Sequence, residues 1–227
     1  MGRARNGWLD SRHHFSFDQY YNPANMNFGV LRVLNDDRVQ AGEGFDTHPH
    51  RDMEIISYVV EGELTHRDSM GNARTLTRGQ VQYMSAGTGV FHSELNLGSD
   101  LLRFLQIWFP PDRAGYQPNY GDFPFVFADR LGRWLPLATS YQNEDSAAPI
   151  RIHADVNLFA GVAPAGGELD FSLRRGRQAY VVNIEGCTAV GALTLQPGDA
   201  LELMEEEARF RANGDFSHLL LIEMKKP

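Results

Sequence analysis

The sequence predicts an all-β chain of two antiparallel β-barrels in tandem, on three observations. Short apolar or alternating runs (IISYVVEGEL, LLRFLQIWF, AYVVNIEG and HLLLIEM) are separated by glycine, proline and polar turns such as DSMGN and QPGD, and helical periodicity is scarce. The chain repeats itself: residues 41 to 62, AGEGFDTHPHRDMEIISYVVEG, align without a gap on residues 165 to 186, AGGELDFSLRRGRQAYVVNIEG, pairing Ala41 with Ala165, Gly42 with Gly166, Asp46 with Asp170 and Gly62 with Gly186. TLTRGQ, residues 75 to 80, then matches TLQPGD, residues 194 to 199, once the intervening hairpin is shortened by five residues. Finally, a sheet repeated in this way has to close or stack to hide its edges, and small antiparallel barrels or sandwiches do so.

Taken in order, the first unit is expected over residues 1–120 and the second over 121–227. The seam falls in the proline-, glycine- and aromatic-rich stretch PPDRAGYQPNYGDFPF, residues 110 to 125. DRLGRWLPLATS, residues 129 to 140, is expected to hold a helical turn that Pro136 stops. Glu205-Glu206-Glu207 reads as a solvated turn or strand end.

Composition narrows the chemistry. The chain has 227 residues, 42% of them hydrophobic, enough for a sizeable core. No run approaches the roughly 18 apolar residues of a membrane span, and the opening MGRARNGWLDSRHHFSF has no apolar signal core, so a cytoplasmic protein that does not contact membrane is expected. A net charge of −8 argues against direct binding to nucleic acid. With Cys187 the only cysteine, a metal would need nitrogen and oxygen ligands.

Those ligands are on offer in the first copy. In FDTHPHRDME, residues 45 to 54, His48 and His50 stand two apart, and in SAGTGVFHSELN, residues 85 to 96, so do His92 and Glu94; on strands each pair shares a face. Three imidazoles and a carboxylate suit iron, manganese, nickel, copper or zinc. Asp46, Asp52 and Glu54 are alternatives for the acidic position, and Asn96 is a candidate hydrogen-bonding support. The second copy serves as an internal control: the repeat offset puts Ser172, Arg174, Arg211 and Asn213 at the four positions, so one metal site is expected and not two.

Elsewhere, the adjacent His13 and His14 point oppositely and read as a structural or pocket-rim pair. His66, His153 and His218 read as surface or packing residues, the last two in the second copy. Met53, Met70, Met84, Phe91, Phe104 and Trp108 are candidates for an apolar mouth that would admit an aromatic ligand.

The first copy resembles the cupin signature, a glycine-led H-x-H followed by a glutamate and a glycine, then a second glycine-led segment ending in histidine. THPHRDMEIISYVVEG, HRDSMGN, QYMSAGTGVFHSE and GWLDSRHHFSFDQYYNP are more specifically similar to the pirin family, in particular its bacterial quercetinase-like members. Three departures from the general cupin pattern belong to the pirin variant: seven residues between Glu54 and Gly62, Ser85 in place of a proline, and a late His92. The resemblance implies a bicupin of two jelly-roll-like barrels with one metal, Fe(II) foremost, held by His48, His50, His92 and Glu94, with Glu54 a bystander. It also implies a dioxygenase that cleaves a flavonol-like aromatic such as quercetin with O2, Glu94 taking the substrate proton. The competing implication, from eukaryotic relatives, is a non-enzymatic redox-sensing iron protein that regulates a protein partner such as a transcription factor.

Overall fold

The computed structural model describes residues 1–204 and 207–227. Glu205 and Glu206 of the acidic run therefore lie outside the described residues. Two compact units emerge: Met1–Val126 with Ile152–Ala154, and Phe127–Arg151 with Asp155–Pro227.

In the first unit the strands are β1 (Gly2–Arg5), β2 (Leu9–His13), β3 (Val33–Val39), β4 (Gly44–His50), β5 (Glu54–Glu61), β6 (Leu64–Asp68), β7 (Ala73–Leu76), β8 (Val81–Ser85), β9 (Val90–Leu95), β10 (Leu102–Phe109) and β11 (Asn119–Phe123). They form a seven-stranded sheet, β1-β2-β3-β10-β5-β8-β11, and a four-stranded sheet, β4-β9-β6-β7. Central strands β5 and β10 are buried along nearly their whole length, which is why they read as continuous apolar runs. Val39, Val59, Leu64, Leu76, Leu102 and Phe104 form one core cluster, against which Trp8, Leu9 and Phe45 pack. β11 falls inside the stretch read as the seam, yet its pairing with β8 places it in the first unit.

The second unit comprises β12 (Trp134–Ser140), β13 (Ile150–Ile152), β14 (Val156–Pro164), β15 (Glu168–Ser172), β16 (Arg177–Val190), β17 (Leu193–Leu195), β18 (Ala200–Met204) and β19 (Glu207–Lys225). All join one eight-stranded sheet. The long β16 is bent by irregularities at Asn183/Glu185 and Gly186/Thr188, which let one strand serve two stretches of sheet. The helical turn expected over residues 129 to 140 is displaced: a single 3-10 turn spans Phe127–Arg130, and Trp134–Ser140 is strand. Pro136 sits where the β12–β14 register shifts, a position that tolerates a residue with no N–H. Among the described residues no helix is long and apolar enough to cross a membrane.

The internal repeat is real in three dimensions. Gly62 and Gly186 adopt φ of 76° and 74°, and a Cβ on either would collide with a backbone carbonyl, that of Leu101 or of Phe216. Gly79 donates its N–H to the Val59 carbonyl at 2.8 Å, and Gly198 does the same to Asn183 at 2.7 Å. Val59 and Asn183 are themselves equivalent in the gapless alignment.

Candidate metal centre

β4 and β9 are neighbours in the four-stranded sheet, and their register sets His48 opposite His92. Alternation then puts His50 on the same face as His48, while Pro49, on an edge strand, costs no ladder hydrogen bond. The ligating nitrogens of His48, His50 and His92 all lie within 4.8 Å of one another. Their ring centroids are 4.5 Å (His48–His92), 4.8 Å (His48–His50) and 4.9 Å (His50–His92) apart.

These three side chains fit a cation. His48 Nδ1 donates to the Asp46 carbonyl at 2.7 Å, which leaves Nε2 as the free donor atom. His50 Nε2 and both ring nitrogens of His92 are buried with no protein partner. Burial first, and the neighbouring imidazoles second, push His50 down to about 4 and His92 down to about 3. Both rings are thus neutral near pH 7 with lone pairs available. Buried, orphaned imidazole nitrogens gathered at one point are what a bound metal ion satisfies.

Glu94 is buried on the same strand face as His92, outside the three-histidine group. Its Oε1 accepts from Ser57 Oγ at 2.6 Å and Gln82 Nε2 at 2.7 Å, and its Oε2 accepts from Gln106 Nε2 at 2.5 Å. A carboxylate has about four lone-pair sites, so one remains, on Oε2. Glu94 and His48 face a cavity of about 420 Å³ whose other walls include Leu9, Phe17, Phe45, Trp108 and Asp37. A cavity of about 450 Å³ in the second unit, walled by Arg174, Arg177 and Glu223, contains no histidine.

The remaining candidates fall elsewhere. Asp46 is exposed and contributes its backbone to His48; Asp52, at φ 48°, accepts from the Gly115 N–H at 2.7 Å. Glu54 is buried and accepts from Ser85 Oγ at 2.7 Å. Glu54→Gln is therefore expected to leave bound metal near the wild-type level; elemental analysis that finds the variant empty would reassign the carboxylate. Asn96 braces a loop, donating to Val39 and Asp100 carbonyls, and has no bond to a candidate ligand. Met84 and Phe104 are core, and Phe91 is exposed, so of the proposed apolar mouth only Trp108 lines the cavity.

His66 is fully buried, bonded through Nε2 to Asp68 at 3.0 Å and stacked on Tyr120, with its ring 5.4 Å from that of His92. His153 groups with the first unit and not the second, stacked on Tyr116. His218 is a packing residue, paired with Glu185. In the second unit, the residue facing Ser172 across β15–β19 is Glu207, while Arg211 faces Glu168. Gly44 faces Leu95 as its equivalent Glu168 faces Arg211, so by register Arg211 corresponds to Leu95 and not to His92, and the irregularity between Phe45 and His48, which β15 lacks, adds one further residue to that difference. No imidazole enters at either register; Arg209 instead pairs with Asp170 at 2.7 Å.

Sequence reasoning missed Ser57, Gln82, Gln106 and Asp37. The available signal was a lone polar residue inside an apolar strand, as in EIISYVVE and LRFLQIWF, which calls for a buried partner. Asp37 is buried, and desolvation pushes its carboxyl up to about 7 against the lowering effect of the Ser11 hydroxyl. In the unfolded chain it titrates near 3.9. Its contribution to stability is therefore complete below about pH 4 and is lost as pH rises through about 7. Relative to wild type, Asp37→Asn should gain on the order of a few kcal/mol between pH 4 and pH 8. Denaturant unfolding at both ends of that range checks it; a pH-independent difference contradicts it.

Two tandem β units of one repeated design, with imidazoles gathered in the first, define a bicupin. The chain belongs to the pirin family: residues 1–109 match Pirin, and residues 137–224 match the quercetinase C-terminal cupin domain. It is 41% identical over 206 residues to the pirin-like protein of Caulobacter vibrioides, covering 91% of this chain and 88% of that one. It is 37% identical over 225 residues to the quercetin 2,3-dioxygenase of Escherichia coli K12, covering 98% and 94%. The bacterial pirin YhhW from Escherichia coli, solved in complex with nickel(II), superposes with a TM-score of 0.90 at 35% identity, covering 100% of this chain and 96% of that one.

Proposed function

We propose that the protein is a metal-dependent dioxygenase that cleaves a flavonol-like aromatic with O2. One divalent transition metal would be held by His48, His50, His92 and Glu94, with Fe(II) the first choice and Mn, Ni, Cu and Zn compatible with the same donors. The observation that carries this reading is the cavity of about 420 Å³ onto which His48 and Glu94 open, a size within the range of small-molecule sites. A redox-sensing module that signals to a protein partner needs no such internal space beside its metal, and so the cavity favours the enzyme.

When bound, the ion would supply Lewis acidity and a route for electrons between substrate and O2. The chain's own residues do the rest. Neutral His50 and His92 would add no charge of their own and so leave the ion's charge undiminished toward a substrate oxygen. Ser57, Gln82 and Gln106 fix the Glu94 carboxylate so that its one remaining lone-pair site serves either as ligand or as acceptor of the substrate hydroxyl proton. Leu9, Phe17, Phe45 and Trp108 present apolar surface to an aromatic ring and displace water from it. Protein loaded with each metal in turn should consume O2 in the presence of quercetin and stop on chelation. If no loaded form consumes O2 with quercetin or related flavonols, the dioxygenase reading falls.

A further inference from the structure

One row of polar side chains crosses five strands of the seven-stranded sheet. His13 on β2 stands opposite Asn35 on β3, Asn35 opposite Gln106 on β10, Gln106 opposite Ser57 on β5, and Ser57 opposite Gln82 on β8. Residues directly opposed in this way share a face of the sheet. Three of its five members, Gln106, Ser57 and Gln82, hold Glu94. His13 and Asn35 do not.

Two residues along from His13 and Asn35, on the same face, Ser11 stands opposite Asp37. Ser11 is 1% exposed, and His13, Asn35 and Asp37 are 3% exposed. Asn35 Oδ1 and Trp108 Nε1 have no hydrogen-bond partner, and Ser11 Oγ, His13 Nδ1 and Asp37 Oδ1 have none at normal hydrogen-bond distance and angle, although Ser11 lies near enough to Asp37, and the Phe17 backbone to His13, for a weak polar contact. All five residues line the cavity shared by His48 and Glu94. Native proteins leave few buried polar atoms unsatisfied, and five on one cavity wall call for an occupant that satisfies them. Asn35 Oδ1 is an acceptor and the Trp108 indole a donor, so the occupant carries hydroxyl groups, which can serve both. Asp37, pushed up to about 7, can take either part near neutrality. Phe17 stands edge-on to both His13 and Trp108, at 5.2 and 5.4 Å, and adds an aromatic flank. One to two strand spacings, about 5–10 Å, separate Asn35 and His13 from Gln106, enough to offset this wall from the groups that hold Glu94 by about one ring.

We propose that Ser11, His13, Asn35, Asp37 and Trp108 form a subsite that reads the hydroxyl groups on the substrate ring remote from the histidine cluster, and so selects polyhydroxylated over bare aromatics. The placement of the occupant rests on the dioxygenase reading; the unsatisfied wall does not.

The test is equilibrium binding under anaerobic conditions to metal-loaded full-length protein. The probes are quercetin, whose pendant ring bears two hydroxyls, and a flavonol whose pendant ring bears none. Wild type should prefer quercetin by at least about ten-fold. Asn35→Leu with Asp37→Leu should bring the ratio within about two-fold, with the bare flavonol bound as tightly as before. Ser11→Ala gives a partial version of the same loss if the double variant does not fold. Without ligand, Asn35→Leu should raise the melting temperature by about 2–4 °C, as expected for removing an unsatisfied group kept for function. A wild type that does not discriminate, or variants that keep the full preference, would overturn the subsite and leave the dioxygenase reading in place. Failure of metal-loaded wild type to bind either flavonol would overturn both.

Discussion

His92→Ala is expected to empty the metal site while the protein stays folded. His92 is central to the cluster: its ring is within 4.9 Å of both partner rings, and both of its nitrogens are buried without a protein partner. Removing a residue that only supports a ligand typically costs roughly 10- to 100-fold in affinity, and removing one of three gathered imidazoles should cost more. The fold should tolerate the change, because the variant removes a buried polar ring that the apo-protein cannot satisfy. His66 supplies the comparison. It lies 5.4 Å from His92 but is bonded to Asp68 and stacked on Tyr120, so His66→Gln should keep its metal. Elemental analysis of both desalted variants decides it; an empty His66 variant beside a loaded His92 variant would assign the wrong histidine.

Glu94→Gln should lose most turnover, by on the order of 10²- to 10⁴-fold, because an amide cannot accept the substrate proton. It should retain part of its metal, since an amide oxygen still coordinates weakly and the three imidazoles are intact. Three donors converge on this carboxylate, and an amide nitrogen in place of one oxygen would meet Gln106 or the Ser57 and Gln82 pair donor to donor. A stability loss of about 1–3 kcal/mol should accompany the change. Gln106→Leu frees Oε2 of its donor without removing the carboxylate, and should keep more activity than Glu94→Gln. Oxygen uptake with quercetin, normalised to bound metal, checks both; equal activity of Glu94→Gln and wild type per metal would remove Glu94 from proton transfer.

The histidine cluster was legible because its geometry is local. Spacing of two on a strand places His48 with His50 and His92 with Glu94, and only the meeting of β4 with β9 had to be supplied by the fold. The repeat was legible for the same reason, since Gly62 and Gly186 are held by local φ and close backbone approach. What escaped was set by pairing between distant strands. Ser57, Gln82 and Gln106 come from three separate strands, and they meet at one carboxylate only through the pairing of β5 with β8 and with β10. VLNDDRV carries four polar residues in seven, yet β3 lies inside the sheet between β2 and β10, so Asn35 and Asp37 are buried. The irregularity before His48 altered the register in one copy alone, and a fixed sequence offset could not reveal it.

The most direct test of a single metal centre in the first unit is calorimetric titration of chelator-stripped protein with Ni(II), wild type against the His48→Ala, His50→Ala, His92→Ala triple variant. One tight equivalent per chain in wild type and none in the triple variant is the predicted result. A second tight equivalent in wild type, or one that survives loss of all three histidines, would contradict it.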